Sequence, residues 1–474
     1  MYKKIIIVML IVLGAFTTFF LYRTYAYDTS VVEDTPTSTD KAYTFKIGNS
    51  SIKQIQVDAG ETKYFDIVLS NPNNAKISYS IYYEMVSPSS KPDSFSIEYT
   101  SKSTGESAGK VDKNGNITLN LVVTNTSSSA VTVKLGSLAG YVNGGELILE
   151  SGQAVIPKKI TASEYIMNLD DGTSGASGSG VYKVSHDAIA SGKSATGNEI
   201  KASDDYRYYG DSPNNYICLD MESGSTCSEK HLYRIIGSIY EELEGTNRLK
   251  VIKATPLTDG TTSGFSWDYT SSGSSNNNWT TSTLMILLNS GAWWNGTSGS
   301  CYNGSTTATT VNFTNYKLSD KAKSYISTSR YYLGGTNGHF GSANSAYEVE
   351  RGNKTRGSYL LYWNGLVGLM YASDYGYAAG NSCATNTDLG GYGSSCYTKD
   401  WLYILDGNAS SELESVITIN LDDSDFLFKI FENGSVGINT TGYAGFVRPT
   451  FYLNKDVSIT SGTGTESDPY LITK

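Results

Sequence analysis

The chain has 474 residues, a formal net charge of −10 at pH 7, and only 17% charged residues. No basic block follows Lys3 and Lys4, which argues against a nucleic-acid partner, because such a partner requires a positively charged surface. Tyrosine (37 residues) and glycine (48 residues) are abundant. Since tyrosine favours strands and glycine favours turns, we expect a β-rich protein of two or three domains.

The N-terminus carries a segment that predicts export. The two lysines precede an uncharged, mostly apolar run over residues 5–22, which is long enough to cross a bilayer core. Residues 1–26 are therefore predicted to be a signal anchor or a signal peptide, cleaved after Ala26 in the second case. The lysines place the N-terminus in the cytoplasm and residues 27–474 outside it. The protein is then single-pass with an extracytoplasmic body, or secreted if the segment is cleaved.

A polar stalk and a β-domain are predicted next. Residues 27–41 are polar and show no apolar period. Residues 42–165 contain seven short alternating strands separated by turn clusters, the pattern of a β-sandwich. Without a Cys–Trp–Cys framework, we expect an Ig-like β-sandwich of the generic bacterial kind. The segment DKNGN (112–116) resembles the start of a calcium loop, but Val123 stands where an acidic ligand is needed, so a hairpin turn is predicted.

The sequence changes character after residues 166–180, a Gly/Ser-rich stretch predicted to be a linker. Two amphipathic helices follow within 181–474. Thr280 or Ser282 is expected to cap the first helix, and Ser319 the second. Short strands and long loops rich in Gly, Tyr and Asn make up the rest. We predict an α+β domain, so that the chain is mainly β and α+β.

The polar and reactive residues give no catalytic or metal-binding pattern. His186, His231 and His339 are scattered and are interpreted as ordinary surface or hydrogen-bonded histidines. No Ser/His/Asp order or zinc-protease motif occurs, so we predict no enzyme activity, no cofactor and no metal. The five cysteines all lie in the second half of the chain. In an exported protein they are expected to form disulfides, with one left over: Cys218, Cys227, Cys301, Cys383 and Cys396.

One arginine is predicted to brace the second domain. Arg448 lies in the segment GFVRPTFYL, which reads as a core strand. Because an unpaired buried charge is costly, we expect its guanidinium to bond a carboxylate or backbone carbonyls. Recognition of an anionic sugar by Arg448 is the alternative.

Several blocks, in order, resemble a known family. They are RYYGDSPNNYICLD, LYRIIG, FSWDY, NNNWTTSTLMILLN, GLVGLMYASDYGYA, WLYIL and FENGSVGI. Over residues 200–455 the chain resembles a family of surface proteins of gut Bacillota and Mycoplasmatota-like bacteria that has no established activity. The resemblance implies a C-terminal C-type-lectin-like module, similar to formylglycine-generating enzymes. It also implies the pairs Cys218–Cys227 and Cys383–Cys396; Cys301 pairing with Cys383 or Cys396 stays open.

The function expected is that of a cell-surface binding protein, adhesin-like, with a glycan or protein ligand outside the cell. Exposed aromatic side chains beside short polar residues suit such ligands. The candidate ligand-binding residues are Trp293 and Trp294, which follow a helix, and Tyr377 and Tyr392 in a later loop. A structural matrix or pilus-like subunit is the alternative. An oxidase of the formylglycine-generating type is less favoured, because the cysteines do not fit that family's C-terminal motif.

Overall fold

The computed structural model describes residues 46–47, 54–71, 77–101, 110–112, 114–139, 152–158, 160–222, 224, 226–273, 275–405 and 413–474. The predicted membrane segment (1–26) and stalk (27–41) lie outside these ranges. Within them, no helix has the length and apolar character needed to span a membrane. Of the described residues, strands account for 39% and helices for 16%, in agreement with the mainly β and α+β prediction. The chain divides into two compact units, Met1–Lys159 and Ile160–Lys474.

The described residues of the first unit form strands. They are β1 (Lys46–Ile47), β2 (Gln54–Val57), β3 (Glu61–Ser70), β4 (Ile77–Ser87), β5 (Phe95–Ser101), β6 (Lys110–Val111), β7 (Asn116–Asn125), β8 (Val131–Ala139) and β9 (Gln153–Val155).

Two antiparallel sheets share one core in the first unit. One sheet has the order β1-β3-β7-β5, and the other β2-β8-β4-β6 with β9 also on β4. Along β7 buried and less buried residues alternate, because successive side chains of a strand point to opposite faces. The inward side chains of both sheets form a single apolar cluster that includes Val57, Ile67, Ile81, Leu119 and Val133. The alternation read from the sequence therefore defines the core face of this unit.

The DKNGN segment corrects one prediction. It is a turn, with the Gly115 amide donating to the Asp112 carbonyl at 3.0 Å. It is not a hairpin, because β6 pairs with β4 of one sheet whereas β7 pairs with β3 and β5 of the other. The turn thus passes between the two sheets.

The second unit contains sixteen further strands among its described residues. They are β10 (Gly180–His186), β11 (Ser203–Tyr209), β12 (Tyr216–Cys218), β13 (Leu232–Glu241), β14 (Thr246–Lys253), β15 (Ser298–Cys301), β16 (Thr309–Asn312), β17 (Ser329–Tyr332), β18 (Gly335–Thr336), β19 (Tyr362–Gly365), β20 (Leu413–Asn420), β21 (Phe426–Phe431), β22 (Val436–Thr440), β23 (Thr450–Tyr452), β24 (Ser458–Ser461) and β25 (Tyr470–Thr473).

The helices described also lie in the second unit. The α-helices are α1 (Ala162–Met167), α2 (Thr283–Asn289), α3 (Ala292–Asn295), α4 (Asp320–Tyr325), α5 (Ala343–Arg351), α6 (Ala372–Ala378), α7 (Asn381–Asn386) and α8 (Ser394–Tyr397). Short 3₁₀ turns occur at Ser191–Lys193, Glu229–His231, Trp279–Thr281 and Leu389–Gly391. The two predicted helices are α2 and α4. Ser282 caps α2 through the Met285 amide (3.1 Å), and Ser319 caps α4 through the Ala322 amide (3.1 Å).

An eight-stranded sheet is the largest in the second unit. Its order is β10-β11-β13-β12-β25-β24, with β14 on β13 and β23 on β14. The β12–β25 pair is parallel and the other pairs of this sheet are antiparallel. A four-stranded sheet, β18-β20-β21-β22, and two antiparallel strand pairs, β15-β16 and β17-β19, complete the strands. One apolar core contains side chains of both larger sheets and of the helices.

The predicted linker, residues 166–180, lies inside the second unit, whose first residue is Ile160. Thr161 and Glu164 form a capping box at the start of α1, and this helix contacts β13, β14 and β24. The carbonyl of Gly175 accepts a hydrogen bond from the Asn381 amide at 3.0 Å, and the Ser177 carbonyl accepts one from Tyr209 Oη at 2.9 Å. The Gly/Ser-rich stretch is therefore hydrogen-bonded to the domain that follows it.

Candidate functional site

A cleft of about 650 Å³ opens in the second unit between the end of β10, the segment that follows it and helix α5. Its volume falls within the range of small-molecule sites, about 300–1,000 Å³. Buried aromatic residues line its floor: His186, Tyr347 and Tyr377. Exposed polar residues line its rim: Ser185, Asp187, Lys193, Asn344, Glu348, Asn353 and Lys354. Another cavity, of about 10 Å³ beside Tyr240 and Arg330, has room for about one water molecule.

His186 forms a buried pair with a carboxylate. Its Nε2 lies 2.9 Å from Oδ2 of Asp205, on the neighbouring strand β11. Asp205 also accepts hydrogen bonds from Nη2 of Arg207 (2.7 Å) and from the Tyr240 amide (2.9 Å). Burial favours the neutral acid, but the charge of Arg207 and the hydrogen bonds from His186 and the Tyr240 amide outweigh it and hold the pKa of Asp205 below its ordinary value. Asp205 is therefore an ionised acceptor, and His186 must carry a hydrogen on Nε2.

The pair continues into a buried network of charges. Nη1 of Arg207 donates to Oδ1 of Asp374 (2.8 Å), and Nζ of Lys250 donates to Oδ2 (2.5 Å). The Tyr371 amide, at the start of α6, donates to the same Oδ2 at 2.9 Å. Burial raises the pKa of Asp374, but Lys250 and Arg207 outweigh it and lower this pKa to about 2. Burial also lowers the pKa of Lys250, against the attraction of Asp374. The floor of the cleft is thereby fixed to the core by ionic hydrogen bonds.

The rings at the floor are held face to face. The His186 and Tyr347 rings stack with centroids 3.6 Å apart and an interplanar angle of 2°. The Arg351 guanidinium lies 3.5 Å from the same Tyr347 centroid, so it must occupy the opposite face. Arg207 covers the Tyr377 ring at 4.6 Å. These aromatic rings therefore pack against other residues of the protein. We expect a ligand in the cleft to contact polar atoms rather than ring faces.

Two polar atoms remain free at the floor and rim. His186 Nδ1 makes no hydrogen bond with any residue that the structure describes, and His186 lines the cleft. Burial lowers the pKa of His186 below its ordinary value, although Asp205 opposes this, which favours a neutral ring with an acceptor at Nδ1. Tyr377 Oη donates to Oδ1 of Asn344 (2.8 Å), which leaves the Asn344 amide hydrogens available.

The rim charges balance. Asp187 and Glu348 contribute two carboxylates, and Lys193 and Lys354 contribute two ammonium groups. A cleft with as many cations as anions has no net attraction for a strongly charged ligand. In the described part of the chain no Ser, Thr or Cys side chain is hydrogen-bonded to His186. The arrangement can therefore recognise a polar neutral group, and it pairs His186 with no nucleophile.

Of the four residues predicted to bind ligand, Tyr377 alone lines the cleft beside His186. Trp293 and Tyr392 are buried in the core, and Tyr392 Oη donates to Asp400 Oδ2 at 3.0 Å. Trp294 is half-buried, with Lys323 Nζ 5.1 Å from its ring. Tyr377 is 1% exposed but lines the cleft. The expectation of exposed aromatic faces was thus wrong for Trp293, Tyr377 and Tyr392, because a core of this size needs large rings to fill it.

The cysteines pair as the resemblance implied. Cys218 and Cys227 lie at disulfide distance, with Cα atoms 5.8 Å apart. Cys383 and Cys396 do as well, also with Cα atoms 5.8 Å apart. Cys301 is free and buried, and burial raises the pKa of its thiol to about 11. The alternative that paired Cys301 with Cys383 or Cys396 is therefore wrong.

His186 and its partners were not recognised as a site from the sequence. One signal was available: in SDDYRYY the charged residues Asp205 and Arg207 alternate with tyrosines, which places both charges on one face of the strand. That this face meets His186 and helix α5 depends on the register of β10 with β11 and on the packing of the helices.

Comparison of the chain with protein-family models, with curated proteins and with solved structures found no match.

Proposed function

We propose that this protein is a bacterial cell-surface binding protein whose second unit binds a glycan in the cleft beside His186. The cleft is the observation that supports this proposal. Its volume suits a small ligand, polar groups line it, and the positive and negative charges of its rim are equal in number. Sugars present many hydroxyl groups and few charges. Amide, imidazole and carboxylate groups such as those of Asn344, His186 and Asp187 complement them by hydrogen bonding.

An extracytoplasmic setting is part of the proposal. It is supported by the lysines ahead of the apolar run at the N-terminus. It is supported also by the two disulfides, which are typical of exported proteins. Residues 1–26 then act as a membrane anchor or a cleaved signal peptide.

The two units receive different roles. The first unit is proposed to be an Ig-like spacer, which its two antiparallel sheets over one core support. The second is proposed to be a C-type-lectin-like head of the surface-protein family described above. The order of its sequence blocks and the two short disulfide loops support this.

A glycan and mucin array, probed with the purified full chain, tests the binding function. We expect binding that Asn344→Ala weakens by about tenfold, as for the loss of one hydrogen bond in a small site. The matched control is Asn386→Ala, an exposed amide outside the cleft, which should leave binding unchanged. Mucin binding that survives removal of the glycans would indicate a protein ligand instead. Absence of all binding would contradict the proposal.

A further inference from the structure

We propose that the cleft recognises a neutral sugar unit by accepting a hydrogen bond from one of its hydroxyl groups at His186 Nδ1, and that protonation of His186 weakens this binding. This inference rests on the proposed glycan-binding function and adds the class of glycan and a pH dependence to it.

The tautomer of His186 follows from its partner. Asp205 is ionised and can only accept, so the hydrogen of the neutral ring lies on Nε2, 2.9 Å from Asp205 Oδ2. Nδ1 of His186, a residue that lines the cleft, then carries a lone pair that no described residue occupies. An alcohol can donate to it, whereas a carboxylate or a sulfate ester has no hydrogen to give. A hydroxyl group is therefore preferred over a carboxylate or a sulfate ester at this position.

The packing around His186 fixes the orientation of its imidazole ring. The Tyr347 ring stacks on one face of the His186 ring, with the centroids 3.6 Å apart. The Arg351 guanidinium lies 3.5 Å from the Tyr347 centroid, on the other face of Tyr347. The Tyr377 ring meets His186 edge-on, with centroids 5.9 Å apart. A sugar that donates to Nδ1 would also have the free amide hydrogens of Asn344 near it, because Asn344 lines the same cleft and its Oδ1 is occupied by Tyr377. Acceptor and donor together suit two hydroxyl groups of one ring.

Protonation of His186 places a hydrogen on Nδ1 and removes the acceptor. The sugar hydroxyl then has to turn from donor to acceptor and loses the hydrogen bond that it donated, which weakens binding. The titratable groups that face the ring keep their charge as the pH falls from neutral to mildly acidic. Asp205 stays ionised because Arg207 and His186 outweigh its burial. Burial raises the pKa values of Tyr347 and Tyr377, so both phenols stay protonated.

The other charged groups near His186 do not account for the expected pH dependence of binding. Arg207 and Arg351 stay charged, because neighbouring acids and phenols outweigh their burial and raise both pKa values. Glu350 needs a control, since burial raises its pKa to about 6 despite Arg351. It lies on α5 but bonds Ser373 and Thr418, away from the cleft floor.

The experiment uses the purified full chain on an array that carries neutral, sialylated and sulfated oligosaccharides. We expect neutral oligosaccharides to bind at about pH 7.5, with affinity falling about tenfold per pH unit below the pKa of His186, as for loss of one proton-sensitive contact. His186→Phe keeps the stacked ring without its nitrogens and should abolish binding. His339→Phe, at an exposed histidine, is the matched control and should bind like the wild type. Glu350→Gln should bind with the pH dependence intact.

The outcomes separate this inference from the proposed function. No binding of any oligosaccharide at any pH overturns both. Binding confined to sialylated or sulfated members, or binding that does not change with pH, overturns the inference and leaves the glycan function standing. Loss of the pH dependence in Glu350→Gln also overturns it. If thermal melting shows that His186→Phe does not fold, the pH profiles of the wild type and of Glu350→Gln decide.

Discussion

Arg448 has the partners that its sequence context predicted. Nε donates to Glu414 Oε1 at 2.6 Å, and Nη2 donates to Glu414 Oε2 at 3.0 Å. Nη2 also donates to the Leu402 carbonyl at 2.6 Å. The side chain is 1% exposed, so the planar fork ties β20, the loop at Leu402 and the segment before β23 together in the core. The prediction that its guanidinium bonds a carboxylate or carbonyls is confirmed.

Arg448→Lys should lower the free energy of unfolding of the second unit by about 1–3 kcal/mol. A lysine cannot reproduce the two parallel bonds to Glu414, and the buried carboxylate loses partners. Thermal melting of the full chain measures this. Arg356→Lys is the control, since Arg356 is half-buried and donates to the Leu421 carbonyl at 2.9 Å. This variant should lose less free energy of unfolding than Arg448→Lys. An equal loss in both variants would contradict the special role of the fork.

Lys429 is a buried charge without a carboxylate partner among the described residues. It lies on β21, fully buried, and its Nζ donates to the Tyr443 carbonyl at 2.6 Å. Burial lowers its pKa from 10.5 to about 7. Because folding disfavours the charged form, the stability tied to this group is greatest above pH 10.5 and is lost as the pH falls toward 7.

Lys429→Met should therefore raise the free energy of unfolding relative to the wild type. The gain should grow by about 1 kcal/mol per pH unit as the pH falls through this window, and level off below about pH 7. Denaturant unfolding at several pH values measures it. Lys399→Met, at an exposed lysine, should show no such gain. A constant difference between the wild type and Lys429→Met across the window would refute the account.

At the scale of elements, the strand pair β11–β13 depends on a glycine. Gly237 pairs with Arg207 and follows the register shift in β13 after Ile235. A Cβ at Gly237 would lie 2.3 Å from the Tyr206 carbonyl oxygen and 3.0 Å from the Arg207 Cα. These are backbone atoms, which cannot move aside without displacing β11, the strand that carries Asp205.

Gly237→Ala should lower the free energy of unfolding by about 1–3 kcal/mol through overpacking. It should also weaken any binding in the cleft, because β11 positions Asp205 behind His186. Thermal melting and array binding of the same variant measure the two effects. Gly391→Ala is the matched control, since a Cβ there would meet nothing within 4 Å. If Gly237→Ala and the control melted at the same temperature, β11 would be shown to shift without a cost in stability.

At the scale of the whole molecule, the boundary between the two compact units falls between Lys159 and Ile160. The Gly/Ser-rich stretch 166–180 resembles a linker in composition. Its neighbours in the structure, however, are Tyr209 and Asn381, which hydrogen-bond to it. Composition alone does not distinguish a free linker from a hydrogen-bonded loop, because both favour small residues.

Limited trypsin digestion should first cleave after Lys158 or Lys159 and leave a resistant fragment that begins near Ile160. A fragment is resistant where its backbone is hydrogen-bonded and its side chains are buried, as they are from α1 onward. Mass spectrometry of the fragments identifies the cut, and a low-specificity protease tests whether 166–180 is protected. Early cleavage within 166–180 would indicate that this stretch is a linker and not part of the second unit.

Much of the local structure could be predicted from the sequence. The alternation of Thr118 to Val123, the serine caps of α2 and α4, and the partnered arginine at 448 depend on residues close together in the chain or on the cost of a buried charge. Short-range rules of this kind state what a residue needs. They do not state which distant residue will supply it.

The sequence by itself determined that this chain is mainly β and α+β and that Arg448 must find a partner. Only the tertiary structure decided that Trp293 and Tyr392 fill the core, that the turn after β6 joins two sheets, and that His186 meets Asp205, Tyr347 and Tyr377 at a cleft. The physical reason is distance along the chain: Tyr347 and Tyr377 come from helices far from β10. Their approach is set by the packing of the whole core, which no local pattern encodes.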